Sequence, residues 1–228
     1  DLSGMTLQFL RNDTLSGLDS LTNLYMSECD INGKIEPGAF KGMPSLIELD
    51  LSESKLTTLK ADMFSALANL TKLSLASSFV NSIEPYAFRG LDGLKELNLR
   101  RVRINTLRNN SFFGLQSLTK LGLDYALRLS MIEIPHAFNR LPQLAHLDMS
   151  YSTGLTRLAP DTFSSLANLT KLSLQRMHLD ESKLQPNGTF RGLVRLQALL
   201  LSGNFLRSLR PDTFGGGLRS LVLLKLDS

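Results

Sequence analysis

The chain has 228 residues, of which 43% are hydrophobic and 20% are charged, and its net charge is +4 at neutral pH. This composition is ordinary for a folded chain and excludes a low-complexity protein, while no apolar run is long enough to span a bilayer. A single cysteine, Cys29, excludes an internal disulfide and a multi-cysteine zinc site. The first ten residues lack the layout of a signal peptide, so we expect a mature chain or a piece of a larger one.

A pattern of the form L-x-x-L-x-L recurs along the whole chain, with methionine sometimes in the last place. Its starting points are 24 to 27 residues apart, and the stretch Phe64–Leu75 returns almost unchanged at Phe163–Leu174. A period in the twenties with this pattern is typical of leucine-rich repeats. The opening leucines, called position 1 of each repeat, are Leu21, Leu46, Leu70, Leu94, Leu118, Leu144, Leu169, Leu196 and Leu221.

These repeats predict one array over residues 1–228. It comprises a partial repeat at 1–20, eight full repeats at 21–220 and a partial repeat at 221–228. Solenoids require polar caps at their ends, and the pattern encodes none, so we expect an uncapped fragment of a longer array.

Positions 4 and 6 of each repeat are apolar and have the period of a strand, which puts both side chains on the core side. One short strand per repeat, always in the same direction, stacks into a parallel sheet with a spacing of about 4.8 Å. The pattern therefore predicts roughly ten parallel strands on the concave side of a curved solenoid.

A phenylalanine follows the strand in every full repeat and should form a buried spine under the convex side. The eight residues are Phe40, Phe64, Phe88, Phe112, Phe138, Phe163, Phe190 and Phe214. The convex segments are short and rich in glycine and proline, which favours loops and single 3-10 or helical turns. The fold class is therefore α/β: a leucine-rich repeat solenoid, or horseshoe, with a concave parallel β-sheet and a convex side rich in loops and 3-10 turns.

Position 9 departs from the regular pattern, in which an asparagine amide bonds neighbouring turns. Only Asn204 keeps the asparagine, and serines stand in for it in three other repeats. Serine can still donate a hydrogen bond, but Met5, Val102, Ala126 and Met177 cannot. We expect irregular curvature at those four turns.

Asn-x-Ser/Thr triplets occur at Asn12, Asn69, Asn109, Asn168 and Asn187. All five map to exposed convex or ascending positions. We expect N-glycans there, which implies a secreted or luminal protein.

Outward-facing residues form columns along the repeats. The column at position 3 alternates in sign from Glu48 through Lys72 and Glu96 to Lys120, which favours structural support. Arginines and tyrosines gather in the central repeats, and both residue types are enriched in binding hot spots. The candidate ligand- and partner-binding residues are Arg100, Arg101, Arg103, Lys120, Tyr125, Arg128, Tyr151 and Arg176; the alternative is a solvated polar face. Glu28, Asp30, Asp50 and Glu53 form an acidic counterpart at the N-terminal end.

No motif for catalysis is present, neither His-Glu-x-x-His, nor Gly-x-Ser-x-Gly, nor a dinucleotide glycine motif. We therefore predict no enzyme, no catalytic residues, no metal site and no cofactor. The three histidines, His136, His146 and His178, are scattered over three repeats, which favours surface or partner-facing roles.

The segments I-x-P-x-A-F-x-G-L (Ile83–Leu91) and L-x-P-x-T-F (Leu209–Phe214) resemble the extracellular leucine-rich family. Within that family the chain is most similar to a Toll-like receptor ectodomain, through its phenylalanine-spine repeats, irregular longer repeats, many Asn-x-Ser/Thr triplets and lack of a cysteine pair. In lacking most of the position-9 asparagines the chain departs from the regular family pattern and resembles those receptors whose central repeats are irregular.

The resemblance implies the extracellular or luminal part of a single-pass membrane receptor in innate immunity. In such receptors a microbial ligand or a processed cytokine brings two ectodomains together into a dimer. The expected partners are therefore a protein or a second receptor chain, and the central arginines would suit an anionic microbial ligand. The fragment itself would make no membrane contact. The competing interpretation is an adhesive or structural leucine-rich ectodomain in cell–cell or matrix contact.

Finally, no Asn-x-Ser/Thr triplet falls on the flank that descends from the sheet, between position 9 and position 14. The same flank carries the insertions of the longer repeats, and such loops often carry function. We therefore expect ligand or second-receptor contacts around Arg101, Arg103, Leu127–Ile134 and His178–Lys183.

Overall fold

A computed structural model describes residues 1–7, 9–12, 14–31, 35–132, 137–155, 158, 160–184, 188–209, 213–214 and 217–227. Within these residues the backbone forms thirteen short strands. In chain order they are β1 (Asn23–Tyr25), β2 (Glu48–Asp50), β3 (Thr58–Leu59), β4 (Lys72–Ser74), β5 (Ser82–Ile83), β6 (Glu96–Asn98), β7 (Thr106–Leu107), β8 (Lys120–Gly122), β9 (Met131–Ile132), β10 (His146–Asp148), β11 (Lys171–Ser173), β12 (Ala198–Leu200) and β13 (Leu223–Lys225).

Nine of these strands form one parallel sheet in the order β1-β2-β4-β6-β8-β10-β11-β12-β13. Each strand begins two residues after an opening leucine, and the leucines at position 4 lie opposite one another, as in the pairing of Leu24 with Leu49. Their side chains are buried, with Leu24 only 3% exposed, until the terminal strand β13, where Leu224 is 37% exposed. The predicted leucine-rich solenoid with a parallel sheet is therefore confirmed.

At the N-terminus the backbone continues the hydrogen bonding between repeats, although the described residues there do not form a tenth strand. The Leu2 N–H donates to the Tyr25 carbonyl and the Gly4 N–H donates to the Ser27 carbonyl, both at 2.8 Å. These bonds repeat the connections that link later repeats, so the first residues form part of a turn of the same solenoid.

The phenylalanines lie in a row beneath the sheet, and the first six form one continuous stack of rings. From Phe40 to Phe163 successive rings are stacked with centroids 5.8–6.4 Å apart. Phe190 and Phe214 are 5.8 Å apart and tilted by 31°. Seven of the eight rings are at most 1% exposed, whereas Phe214 is only partly buried against the core near the end of the described chain.

On the convex side the described residues form hydrogen-bonded turns, and none of them is in a 3-10 or α-helix. Each turn is too short to nucleate a helix. The residue two places before the phenylalanine adopts a positive φ in several repeats, for example Asp62 (60°) and Asn110 (67°). Gly114 also has a positive φ of 98°, and a Cβ there would collide with the Phe88 carbonyl of the preceding repeat. This contact fixes a close approach between consecutive convex turns.

Two additional small parallel sheets lie on the descending flank, where the sequence predicted only loops. They pair β3 with β5 and β7 with β9. Leu59, Ile83 and Leu107 are buried within them, so apolar side chains at equivalent positions hold neighbouring flanks together. The descending flank therefore contains regular hydrogen-bonded structure next to its irregular insertions.

Position 9 shows how the solenoid tolerates a broken asparagine ladder. Asn204 accepts hydrogen bonds at 3.0 Å from the backbone N–H groups of Met177 and Leu179 and donates at 2.8 Å to the Leu174 carbonyl. In an earlier repeat Ser152 plays a similar part, because its hydroxyl donates to the Leu123 carbonyl at 2.9 Å and accepts from the Ala126 N–H at 3.1 Å. A serine in the next repeat thus compensates for the alanine.

Candidate functional site

The most distinctive feature of the sheet is the edge that follows its strands, at position 8 of each repeat. The nine described residues there all have φ between 50° and 75°: Gly4, Glu28, Glu53, Ser77, Arg101, Tyr125, Tyr151, Arg176 and Gly203. For a non-glycine residue this left-handed conformation costs about 1–2 kcal/mol. We call this row the position-8 column.

Backbone hydrogen bonds explain why the strained conformation persists. The N–H of each position-8 residue donates to the carbonyl of position 7 in the next repeat, as from Tyr125 to Ser150 and from Tyr151 to Gln175, both at 2.8 Å. The turn thus extends the connection between repeats beyond the end of the strands. Because the backbone is fixed by these bonds, the column can carry large side chains in a conformation they would otherwise avoid.

In the central repeats the column and the adjacent Arg100 form an ordered stack of arginine and tyrosine side chains, the Arg–Tyr ladder (Arg100, Arg101, Tyr125, Tyr151 and Arg176). The two tyrosine rings are parallel within 5°, with centroids 4.3 Å apart. The guanidinium groups of Arg100 and Arg101 lie 5.0 and 5.1 Å from the Tyr125 ring. Arg176 lies 5.8 Å from the Tyr151 ring. Each such cation–π contact contributes about 0.5–1 kcal/mol at an exposed site, so the cationic groups are partly ordered before any ligand arrives.

The next residue of the column after Arg176 is Gly203, and its lack of a side chain leaves space for the Arg176 side chain. A Cβ on Gly203 would lie 2.5 Å from the Arg176 Cγ. The stack therefore ends with an arginine that lies across a glycine, at the level of the following repeat.

The charge of the ladder is only partly neutralised. Arg100 forms an ion pair with Asp124 at 3.2 Å. Burial, followed by the nearby Asp148, raises the pKa of Asp124, and Arg100 opposes this shift. Arg101 and Arg176, in contrast, form no ion pair with any other described residue.

Two further predicted residues, Arg103 and Arg128, lie beside the ladder on the descending flank. Arg103 places its guanidinium 3.9 Å from the Phe79 ring. Arg128 is exposed and borders a hollow of about 340 Å³ together with Arg101 and Leu127. Neither arginine has an ionic partner among the described residues, so the flank is a positively charged surface.

The structure does not bring Lys120 to this surface. Lys120 is at position 3, inside strand β8, and its ammonium group pairs with Glu96 at 2.6 Å. It belongs to the concave column, where His146 lies between Lys120 and Lys171 on adjacent strands. Burial, and then these two lysines, lower the pKa of His146.

The predicted acidic counterpart occupies the other end of the edge. Glu28 and Glu53 continue the position-8 column and are exposed. Asp30 is paired with Lys55 at 2.5 Å, and Asp50 accepts a hydrogen bond from the Ser52 N–H at 2.9 Å. The column thus changes from acidic to basic along the solenoid.

Sequence reasoning missed an open apolar trough beside the ladder, with a volume of about 530 Å³. Its lining residues are Tyr125, Leu127, Tyr151, Thr153, Arg176, His178, Gly203 and Phe205. His178 and Phe205 stack with centroids 5.3 Å apart and form one wall. The signal available in the sequence was the column at position 10, where Leu127, Thr153, His178 and Phe205 follow one another in consecutive repeats.

None of the described Asn-x-Ser/Thr asparagines lies at the position-8 edge; they occur just before position 1 or just before the phenylalanine position of their repeats. Asn12, Asn69 and Asn109 are exposed, whereas Asn168 is half-buried. The Asn69 and Asn168 side-chain amides donate to the carbonyls of Pro44 and Pro142 at 2.9 and 2.8 Å. Asn187 lies outside the described residues, as do residues 133–134 of the predicted insertion Leu127–Ile134 and the predicted surface histidine His136.

Two other kinds of site are missing from the described part of the chain. It contains no helix long and apolar enough to cross a membrane and no group of three or more His, Cys, Asp or Glu side chains that could hold a metal ion.

Comparison with known proteins agrees with the leucine-rich repeat fold described above. A model of the leucine rich repeat family matches residues 33–78, 68–126 and 129–179, which together exceed half of the chain. Toll-like receptor 4 from Bos taurus is 38% identical over 85 residues, or 37% of this chain and 10% of that receptor. A crystal structure of a TLR13–ssRNA13 complex superposes with a TM-score of 0.51 at 25% identity, covering 92% of this chain and 37% of that one. The chain thus belongs to the leucine-rich repeat family and is similar to short portions of Toll-like receptors.

Proposed function

We propose that this chain is a ligand-binding and dimerising segment of a Toll-like receptor ectodomain that takes part in innate immune recognition. The similarity to Toll-like receptors supports the class of protein. The Arg–Tyr ladder supports a binding role, because four of its five residues, all except Arg100, belong to the position-8 column and are held in its strained left-handed conformation.

The ligand that suits this edge is anionic. Arg101 and Arg176 are exposed, have no ionic partner among the described residues, and are held by their contacts with tyrosine rings. Charge-assisted hydrogen bonds from arginine to carboxylate or phosphate are among the strongest available. Because the side chains are already ordered, binding costs less conformational entropy.

A second receptor chain would contact the same descending edge. The described glycosylation candidates Asn12, Asn69 and Asn109 are exposed at other positions of the repeat, so glycans there leave this edge accessible. On this proposal the chain is extracellular or luminal, as part of a membrane receptor, and dimerises when an anionic microbial ligand is bound.

The test uses the natural ectodomain that contains this chain, with a fluorescently labelled single-stranded RNA oligonucleotide as the anionic probe. Replacing Arg101 and Arg176 with glutamine removes the two unpaired ladder cations. Hydrogen bonds to charged groups contribute about 1.5–3 kcal/mol each, so affinity should fall more than about tenfold, and added salt should weaken binding to the parent protein.

The matched control replaces Arg108 and Arg219, which are exposed away from the ladder, and has the same net charge. Equal affinity in the ladder variant and the control would refute the proposed ligand site. Absence of both oligonucleotide binding and ligand-induced dimerisation, with cell or matrix adhesion retained, would favour the adhesive ectodomain.

A further inference from the structure

We infer that the trough beside the Arg–Tyr ladder holds a protein segment with one bulky apolar side chain flanked by carboxylates. This inference rests on the proposed receptor function and names the chemistry of a partner. It concerns the surface formed by Leu127, Phe205 and the ring edges of Tyr125 and Tyr151.

The trough exposes two large apolar side chains that the fold has no need to expose. Leu127 is 57% exposed and Phe205 is 58% exposed. They lie at position 10, two residues after the left-handed residue of their repeat. Single exposed apolar residues are unremarkable, but two that line one concave surface indicate a contact site.

The faces of the aromatic rings are already covered, which decides what the trough can accept. Tyr125 has Tyr151 on its ring and two guanidinium groups within 5.1 Å of its centroid. Tyr151 contacts Tyr125 and Arg176, and Phe205 is stacked on His178. A nucleobase could stack on these tyrosines only by displacing an arginine, whereas an aliphatic or aromatic side chain can lie on Leu127 and on the exposed part of Phe205.

The far wall of the trough is preformed by contacts between repeats. The Phe205 N–H donates to the Leu179 carbonyl at 2.7 Å. The carboxylate of Glu181 accepts hydrogen bonds from the backbone N–H groups of Arg207 and Ser208. Its own backbone N–H, and then those of Ser208 and Arg207, lower the pKa of Glu181. The insertion therefore fixes the segment that carries Phe205, so this apolar wall is in place before a partner binds.

The rim is positively charged around this apolar surface. Arg176 lines the trough, and Arg101 and Arg128 border the adjoining hollow with Leu127. None of the three has an ionic partner among the described residues. An apolar centre inside a charged rim is the usual arrangement of a protein-binding hot spot, and the sign of the rim selects a segment rich in Asp and Glu.

The experiment selects random 12-residue peptides displayed on phage against the natural ectodomain. The enriched peptides should share a Leu or Phe flanked by Asp or Glu. Their binding should fall at least about tenfold in a Leu127→Ser, Phe205→Ser variant and also in an Arg128→Gln, Arg176→Gln variant, as expected for hot-spot residues. Because all four side chains are exposed or border open surface, thermal unfolding should be little changed. Ile47→Ser, which alters a 45% exposed side chain on the opposite edge of the sheet, is the matched control and should bind normally.

Peptides that bind the Leu127→Ser, Phe205→Ser variant as well as the parent would overturn the inference, as would the absence of any enrichment over that variant. A separate measurement distinguishes it from the proposed function. If single-stranded RNA binding depends on Arg101 and Arg176 but no peptide recognises the trough, the anionic-ligand proposal stands and this inference falls.

Discussion

The phenylalanine column gives the sharpest stability prediction, at Phe112. Its side chain is fully buried, with ring centroids 6.4 Å from Phe88 and 6.1 Å from Phe138. Phe112→Ala removes the buried ring and two stacking contacts and leaves a cavity between consecutive repeats. Buried Phe-to-Ala changes cost about 3–5 kcal/mol, and the stacking contacts, at about 0.5–1.5 kcal/mol each beyond area burial, favour the upper part of that range.

The adjacent residue is the control. Phe113 is half-buried and packs edge-on against Tyr86 at 4.9 Å, outside the column. Phe113→Ala should therefore cost only about 1–2 kcal/mol, since most of the loss is one aromatic pair and partial burial. Urea denaturation of the protein, followed by circular dichroism, measures both. Equal losses for the two variants, or a loss below about 1 kcal/mol for Phe112→Ala, would show that the column does not hold the repeats together.

Two further predictions use single polar groups. Asn204→Ala should lower the free energy of unfolding by about 2–4 kcal/mol, because it removes hydrogen bonds to four backbone groups. Ser54→Ala should change it by less than about 0.5 kcal/mol, since the buried Ser54 hydroxyl has no partner among the described residues. Equal losses for the two variants in urea denaturation would contradict this. His146 should titrate below the ordinary histidine pKa. Because its pKa is lower in the folded state than in the unfolded state, its contribution to the free energy of unfolding is fully present above the unfolded-state pKa and is lost as the pH falls through the folded-state pKa. Lys171→Gln should raise the pKa of His146 in an NMR titration, and an unchanged or lower pKa would mean that the lysine does not act on it.

The repeat architecture could be predicted from the sequence because burial is periodic. Positions 4 and 6 alternate with exposed residues over a three-residue strand, and a shift by one residue would expose every leucine. Strand β8, for example, puts Leu121 in the core between Lys120 and Gly122. Beyond the strand the buried residues recur three places apart, as Leu56 and Leu59 do. This spacing lacks the two-residue alternation that predicts a strand, so the flanking sheets were not anticipated.

The candidate site could be predicted only in part. Residue types identified Tyr125, Tyr151 and the neighbouring arginines, but left-handed backbone is expected at glycine or asparagine, so tyrosine at these turns gave no such signal. Lys120 lies on a neighbouring repeat, but it is at position 3, inside the strand, and therefore projects from the concave face and not from the edge. Leu127 and Phe205 line one trough although they are 78 residues apart in the sequence, and only the stacking of the repeats places them on one surface.

The central claim is that partners contact the descending edge, and a new glycan tests it most directly. Arg128→Asn completes an Asn-x-Ser triplet with Leu129 and Ser130 beside the ladder, and Ser117→Asn completes an Asn-x-Thr triplet with Leu118 and Thr119 on the ascending side. A glycan is bulky and blocks close contact where it is attached. With glycosylation verified by mass and secretion normal, the Arg128→Asn protein should lose oligonucleotide binding and ligand-induced dimerisation, while the Ser117→Asn protein keeps both. Binding and dimerisation that persist in the glycosylated Arg128→Asn protein would contradict the account.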